Sequence, residues 1–173
     1  MCKARLEKSG QNLNRTFSIF DSTKMTVLKA TKNNIMIAAQ IVKRGGLIVY
    51  PTETVYGLGC DPFNAEAVKR ILKVKDNRSK PLPVLAASIV DAEKAAFVSP
   101  NGKRLAAKFW PGPLTMVFPK KPNFPDVVTF GLDSVGLRIP GNDVALHLIR
   151  LSGGLLIGSS ANRTGKEPPR AVQ

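Results

Sequence analysis

Between Lys69 and Lys80 the chain places six cations, Lys69, Arg70, Lys73, Lys75, Arg78 and Lys80, and a single acid, Asp76. The first three fall within a helical pattern and are accounted for by its solvated face. Lys75, Arg78 and Lys80 come where that helix gives way to a loop before a strand, so they can converge on an anion. An arginine fork suits bidentate contact with phosphate or carboxylate, and a lysine supplies a point charge. A second run, GSSANRTG from Gly158 to Gly165, has a strand delivering Ser159, Ser160 and Asn162 to a turn, as short donors and acceptors for a polar ligand. The third is PTETVYGLG, Pro51 to Gly59. There Thr52 and Thr54 alternate with Glu53 at the end of a buried strand, which would send both hydroxyls to one side. Gly57 and Gly59 then allow close backbone approach or a positive φ.

Several chemistries are excluded or disfavoured. One histidine, His147, and two cysteines, Cys2 and Cys60, make neither a zinc framework nor a disulfide scaffold. His147 lies in DVALHLIRL, a helix-like stretch where a boundary residue is the simpler reading. Gly165-Lys166 is no P-loop, because six residues separate it from Gly158 and Glu167 stands where Ser or Thr belongs. No G-x-G-x-x-G is present, so a dinucleotide site is unsupported. The balance of 26 Lys+Arg against 12 Asp+Glu, a formal +14, favours phosphate-bearing partners such as nucleotides, pyrophosphate or RNA. A merely basic soluble surface explains the same number equally well. No apolar run approaches the roughly 20 residues that span a bilayer, and the N-terminus has no secretory pattern. No membrane association and a cytoplasmic location are expected.

The elements that must position these residues alternate along the chain. Residues 1–24 show no convincing periodicity and are expected to form a flexible basic tail, with one domain over 25–173. Asn33 or Asn34 is expected to cap a helix through Ile35, Ala38, Ala39 and Val42, ended by Gly45-Gly46. LIVY (47–50) reads as a buried strand. Asn64 caps NAEAVKRILKVK, whose Val68, Ile71 and Leu72 share a face. A strand in PLPVLAAS is weakened at its start by Pro81 and Pro83. A helix over 91–97 follows, and another opens at Ser99-Pro100 and runs to Trp110. LTMVF and SVGLRIP read as strands, Asn142 or Asp143 caps a helix to Leu151, and LLIGSS is the last strand. The intermixing predicts an α/β layer architecture with a twisted, mostly mixed sheet flanked by helices.

PTETVYGLG, the basic K…R…KPL stretch, WPGPLT (Trp110 to Thr115), VGLRIP (Val135 to Pro140) and SSAN (Ser159 to Asn162) stand in the order found in YrdC-like proteins. The chain resembles that family over about residues 26–169. The resemblance implies a single YrdC-like α/β domain with a basic concave groove. It also implies synthesis of L-threonylcarbamoyladenylate from L-threonine, bicarbonate and ATP, with release of pyrophosphate, as the first step of the t6A modification of tRNA at position 37. Mg²⁺ would come with ATP, with no protein side chain as metal ligand. Enzymes that use threonylcarbamoyl-AMP in tRNA modification are the implied partners, and RNA is a further candidate.

By the same resemblance Lys75, Arg78, Ser160 and Asn162 form the catalytic set. Thr52, Thr54 and Arg138 would hold threonine, and Arg78, Lys80, Thr115, Ser160 and Asn162 would contact nucleotide. The family pair is usually K-x-R, whereas here Asp76 and Asn77 separate Lys75 from Arg78. Relatives continue past the position of Gln173 with a glycine-rich stretch and a Ser-Thr element, so a C-terminally truncated domain is expected. Two alternatives stay open: a groove that binds double-stranded RNA or tRNA without catalysis, and an inactive truncated paralogue. Carbamoyl-transfer enzymes of hydrogenase maturation hold a similar domain, but with zinc-finger cysteines and an acylphosphatase unit not seen in this sequence.

Overall fold

A computed structural model describes residues 16–21, 24–75, 80–162, 165 and 167. Strands and helices alternate as expected, but the strands form two sheets instead of one. The first sheet is antiparallel throughout, in the order β2 (Lys24–Lys29), β1 (Thr16–Asp21), β3 (Leu47–Pro51), β4 (Tyr56–Gly59) and β9 (Ser159–Ser160). The second runs β6 (Met116–Pro119), β7 (Ser134–Arg138), β5 (Val84–Ala86), β8 (Leu155–Ile157), with β5 and β7 parallel and the other pairs antiparallel.

β1 corrects the expectation of a flexible tail through residue 24. Residues 16–21 pair with both β2 and β3, Ser18 facing Val27 on one side and Val49 on the other. A strand inserted between two others satisfies its backbone groups on both edges, which local periodicity in so short a run does not announce. Residues 1–15 lie outside the described residues.

Among the described residues six helices cover the sheets: α1 (Lys32–Lys43), α2 (Ala65–Val74), α3 (Ile89–Ala95), α4 (Pro100–Phe109), α5 (Asp126–Thr129) and α6 (Asp143–Leu151). Their starts follow N-capping chemistry. Asn64, Ser99 and Asn142 each accept a backbone N–H three residues on, as expected. α1 starts earlier than expected, at the Thr31 cap, whose hydroxyl accepts from Asn34 N while Asn34 Nδ2 donates to Lys29 O. Asn34 is thus the residue capped, not the cap. α3 likewise starts earlier than expected, at Ile89 with Ser88 as its cap, two residues before Asp91.

The core has two parts. Ile35, Ala38 and Val42 of α1 and Leu148 and Ile149 of α6 pack with Ile48 and Tyr50 of β3. Ala67, Val68 and Ile71 of α2 join Leu58, Leu82, Val84, Leu137 and Ile157 in the larger cluster. Burying side chains of this size contributes about 1.5–3 kcal/mol each before the entropy of ordering them.

LLIGSS, expected as one strand, changes sheets at Gly158. Leu155–Ile157 pairs with β5, whereas Ser159 and Ser160 pair with β4. Gly158 N donates to Pro83 O, and a Cβ on Gly158 would stand 2.6 Å from Leu85 Cγ. The crossing draws the ends of the two sheets together, and the candidate residues gather there.

Candidate functional site

Lys75 is the C-cap of α2, its N–H bonded to Ile71 O, and it is only 2% exposed. Val68 and Ile71 sink one face of α2 into the core, which aims the end of the helix at the SSAN segment. Lys75 Nζ donates to Ser160 O and Asn162 O, both at 2.7 Å, and lies 3.3 Å from Asn162 Oδ1 and 3.4 Å from Ser160 Oγ. A buried ammonium is costly unless hydrogen-bonded, and this one is surrounded by acceptors at the negative end of a helix. Lys75, Ser160 and Asn162, expected to act together, are therefore in mutual contact. Arg78 lies outside the described residues, and Lys80 is exposed at the start of the segment leading to β5.

The PTET segment was expected to continue β3 with both hydroxyls on one side. It is a turn instead. Thr52 Oγ1 donates to Val55 O at 2.6 Å and accepts from Thr54 N and Val55 N. Because the Thr52 proton is committed to Val55 O, the 3.0 Å contact between the two hydroxyls has Thr54 as its donor. The hydroxyls do meet, but through a side-chain-to-backbone turn, not strand alternation. Thr52 spends its hydroxyl on folding the turn, whereas Thr54 is exposed and keeps acceptor capacity for a ligand.

Gly57 and Gly59 in β4 serve close packing without positive φ. A Cβ on Gly59 would stand 2.5 Å from Ile157 O and 2.8 Å from the Tyr50 ring, and one on Gly57 3.0 Å from Tyr50 Cζ. Burial pushes the Tyr50 phenol far above its ordinary pKa of 10.0, and its OH donates to Ile157 O at 2.9 Å.

Arg138 ends β7 in the second sheet, yet its side chain reaches the turn of the first. Nε donates to Gly112 O at 2.9 Å, and Nη2 pairs with Glu53 Oε1 and lies 3.4 Å from Thr54 Oγ1. Thr115 stands exposed just before β6, where Met116 opposes Leu137, so it neighbours Arg138 on the adjoining strand. Glu53 was not among the expected site residues. Its signal was an acid between two threonines in a chain rich in cations.

The two groups share one end of the fold. Ser160 pairs with Gly57, and Ala161 N donates to Tyr56 O at 2.8 Å, so the SSAN segment runs beside β4 toward the Thr52–Val55 turn. That end thus carries, on one side, a buried ammonium with a serine and an asparagine and, on the other, a guanidinium with a threonine hydroxyl. Such a pairing suits a ligand with two separated anionic groups.

His147 is half-buried on α6, the boundary position that its surroundings in the sequence suggested. Among the described residues no three His, Cys, Asp or Glu side chains gather as a metal site, and no helix is long and apolar enough to cross a membrane. An open cavity of about 840 Å³ lies between α3, α4 and β6, lined mainly by apolar side chains such as Phe97, Leu105 and Val117. None of the expected site residues lines it, and its walls lack convergent cations.

The family of Sua5, YciO and YrdC, described as "Telomere recombination", matches residues 40–173. The threonylcarbamoyl-AMP synthase of Pyrococcus abyssi is 44% identical over 140 residues, 80% of this chain and 41% of that protein. The threonylcarbamoyl-AMP synthase of Methylococcus capsulatus is 38% identical over 139 residues, 79% of this chain and 74% of that protein. The crystal structure of P. abyssi Sua5 complexed with L-threonine superposes with a TM-score of 0.78 at 42% identity, covering 82% of this chain and 42% of that one. This chain therefore spans about two fifths of the Pyrococcus protein and three quarters of the Methylococcus one.

Proposed function

The chain belongs to the Sua5, YciO and YrdC family, and from that premise we propose that it forms L-threonylcarbamoyladenylate from L-threonine, bicarbonate and ATP, releasing pyrophosphate. The observation that carries the proposal is Lys75: a buried ammonium held against Ser160 and Asn162, one sheet crossing away from an arginine-threonine pair. The relatives named threonylcarbamoyl-AMP synthase and the neighbour solved with L-threonine support it.

The threonine amine and bicarbonate give a carbamate with loss of water. A carbamate oxygen then attacks the α-phosphorus of ATP, and the bond to the bridging oxygen breaks as pyrophosphate leaves. The site must hold anionic partners in line and stabilise charge on the phosphoryl oxygens. Lys75, Arg78, Ser160 and Asn162 take that part. Lys80 and Thr115 contact nucleotide beside them. Thr54 accepts from the bound threonine, Arg138 takes its carboxylate, and Thr52 shapes the turn that presents Thr54. Mg²⁺ enters with the triphosphate as part of the substrate. The product passes to enzymes that modify tRNA, in the cytoplasm, and the basic surface favours RNA as a further partner.

The proposal is tested by following pyrophosphate from ATP and Mg²⁺, with threonine and bicarbonate each omitted in turn. Release that needs both supports it. RNA binding with a steep salt dependence and no such release would instead favour the RNA-binding module.

A further inference from the structure

We propose that Glu53 is a positioning residue that fixes the guanidinium of Arg138 for the carboxylate of the amino-acid substrate, an inference that rests on the function proposed above. Arg138 crosses from the end of the second sheet to the turn of the first, a long side chain with one backbone anchor, Gly112 O at 2.9 Å from Nε. A guanidinium tied at Nε alone still swings about that bond. The second tie, from Nη2 to Glu53 Oε1, sets its plane. These contacts engage Nε and Nη2, so the Nη1 side of the fork is the one presented to a ligand.

Glu53 is itself held in place. The Thr52 hydroxyl makes three contacts with backbone groups of Thr54 and Val55, which close the turn around it. The pair is largely buried, with side chains 13% and 22% exposed. Glu53 Oε2 is buried and, among the described residues, has no hydrogen-bond partner. A carboxylate with one oxygen orphaned is a poor stabilising device, since a buried ion pair often does no better than an apolar replacement. Orientation of Arg138 accounts for an acid here where added stability does not.

The test uses the 173-residue chain with Glu53→Gln, Glu53→Ala, Arg138→Ala and the Glu53→Ala/Arg138→Ala double variant. L-threonine and ATP affinities are measured by calorimetry, and exchange of the Arg138 Nε–H by ¹⁵N NMR. Because misplacement of a binding group by an ångström can cost on the order of 100-fold, Glu53→Ala is expected to weaken threonine binding by about tenfold or more. ATP affinity stays within about twofold, and the double variant binds threonine no more weakly than Arg138→Ala, as residues acting through one another require. Nε–H exchange in Glu53→Gln and Glu53→Ala rises by about tenfold or more, since local opening sets that rate. Additive losses of threonine affinity, or unchanged Nε–H exchange, overturn the inference. Wild-type protein that binds no threonine overturns the functional proposal instead, and exchange at Nε–H then decides the positioning claim alone.

Discussion

Replacing Lys75 with Met tests the centre of the site without relying on turnover. Met keeps the length of the stem and removes the ammonium, so Ser160 O and Asn162 O lose donors that now stand at 2.7 Å. Each hydrogen bond to a charged group contributes about 1.5–3 kcal/mol, and a buried carbonyl left without a partner costs about 1–3 kcal/mol. Against this, the variant no longer desolvates an ammonium, which offsets several kcal/mol. The carbonyls belong to a short strand and its exit, which can partly relax toward water. The balance is a loss of about 2 kcal/mol. With a urea slope of about 2 kcal/mol per M, the unfolding midpoint should fall by about 1 M. The assay is equilibrium urea unfolding followed by tryptophan fluorescence, since Trp110 is buried in the core. A midpoint within about 0.2 M of wild type would mean that Lys75 does not tie α2 to the SSAN segment, and the argument from its geometry would fail. Catalysis, where proposed, should drop by about 100-fold or more, as expected for a lost charge-stabilising donor.

Four further outcomes follow from the packing. Gly59→Ala should lose about 2 kcal/mol or more in urea unfolding, because its Cβ meets a backbone carbonyl at 2.5 Å that cannot move as a side chain can. Tyr50→Phe should lose about 1 kcal/mol by removing the donor to Ile157 O. Ser159→Ala should be neutral or stabilising, since the buried Ser159 Oγ has no partner among the described residues. Burial, helped by Asp61 and opposed by Arg70, pushes the Cys60 thiol from 9.0 up to about 12. The unfolded thiol ionises first, so stability is full below pH 9 and declines as pH rises toward 12, by about 1.4 kcal/mol per unit for this group. Unfolding midpoints for wild type and Cys60→Ala across that range check it, and peptide mapping should find Cys60 unalkylated at neutral pH.

Much of the site was legible because its signals are local. Asn64 as a cap and Val68 with Ile71 on one face suffice to place α2, and hence to bring Lys75 to its end. The resemblance to YrdC-like proteins then associated Lys75 with Ser160 and Asn162. What stayed hidden depends on partners far along the chain. β1 is a strand because β2 and β3 flank it, and nothing within residues 16–21 states that. Gly158 splits LLIGSS between two sheets because Pro83 and Leu85 lie against it. Thr31 displaces Asn33 and Asn34 as the cap of α1 because Asn34 is occupied with Lys29 O. Thr52 looked like a strand residue, since alternation and a threonine-closed turn read alike over four positions. The Glu53 contact is hidden because its partner, Arg138, lies 85 residues away.

The most direct test of the proposed function supplies [¹³C]bicarbonate with ATP, Mg²⁺ and L-threonine and examines the products by mass spectrometry. The account predicts an adenylate carrying threonine and one ¹³C, formed in step with pyrophosphate and absent without threonine. Folded protein that binds ATP but yields no labelled adenylate, or releases pyrophosphate independently of threonine, would contradict it.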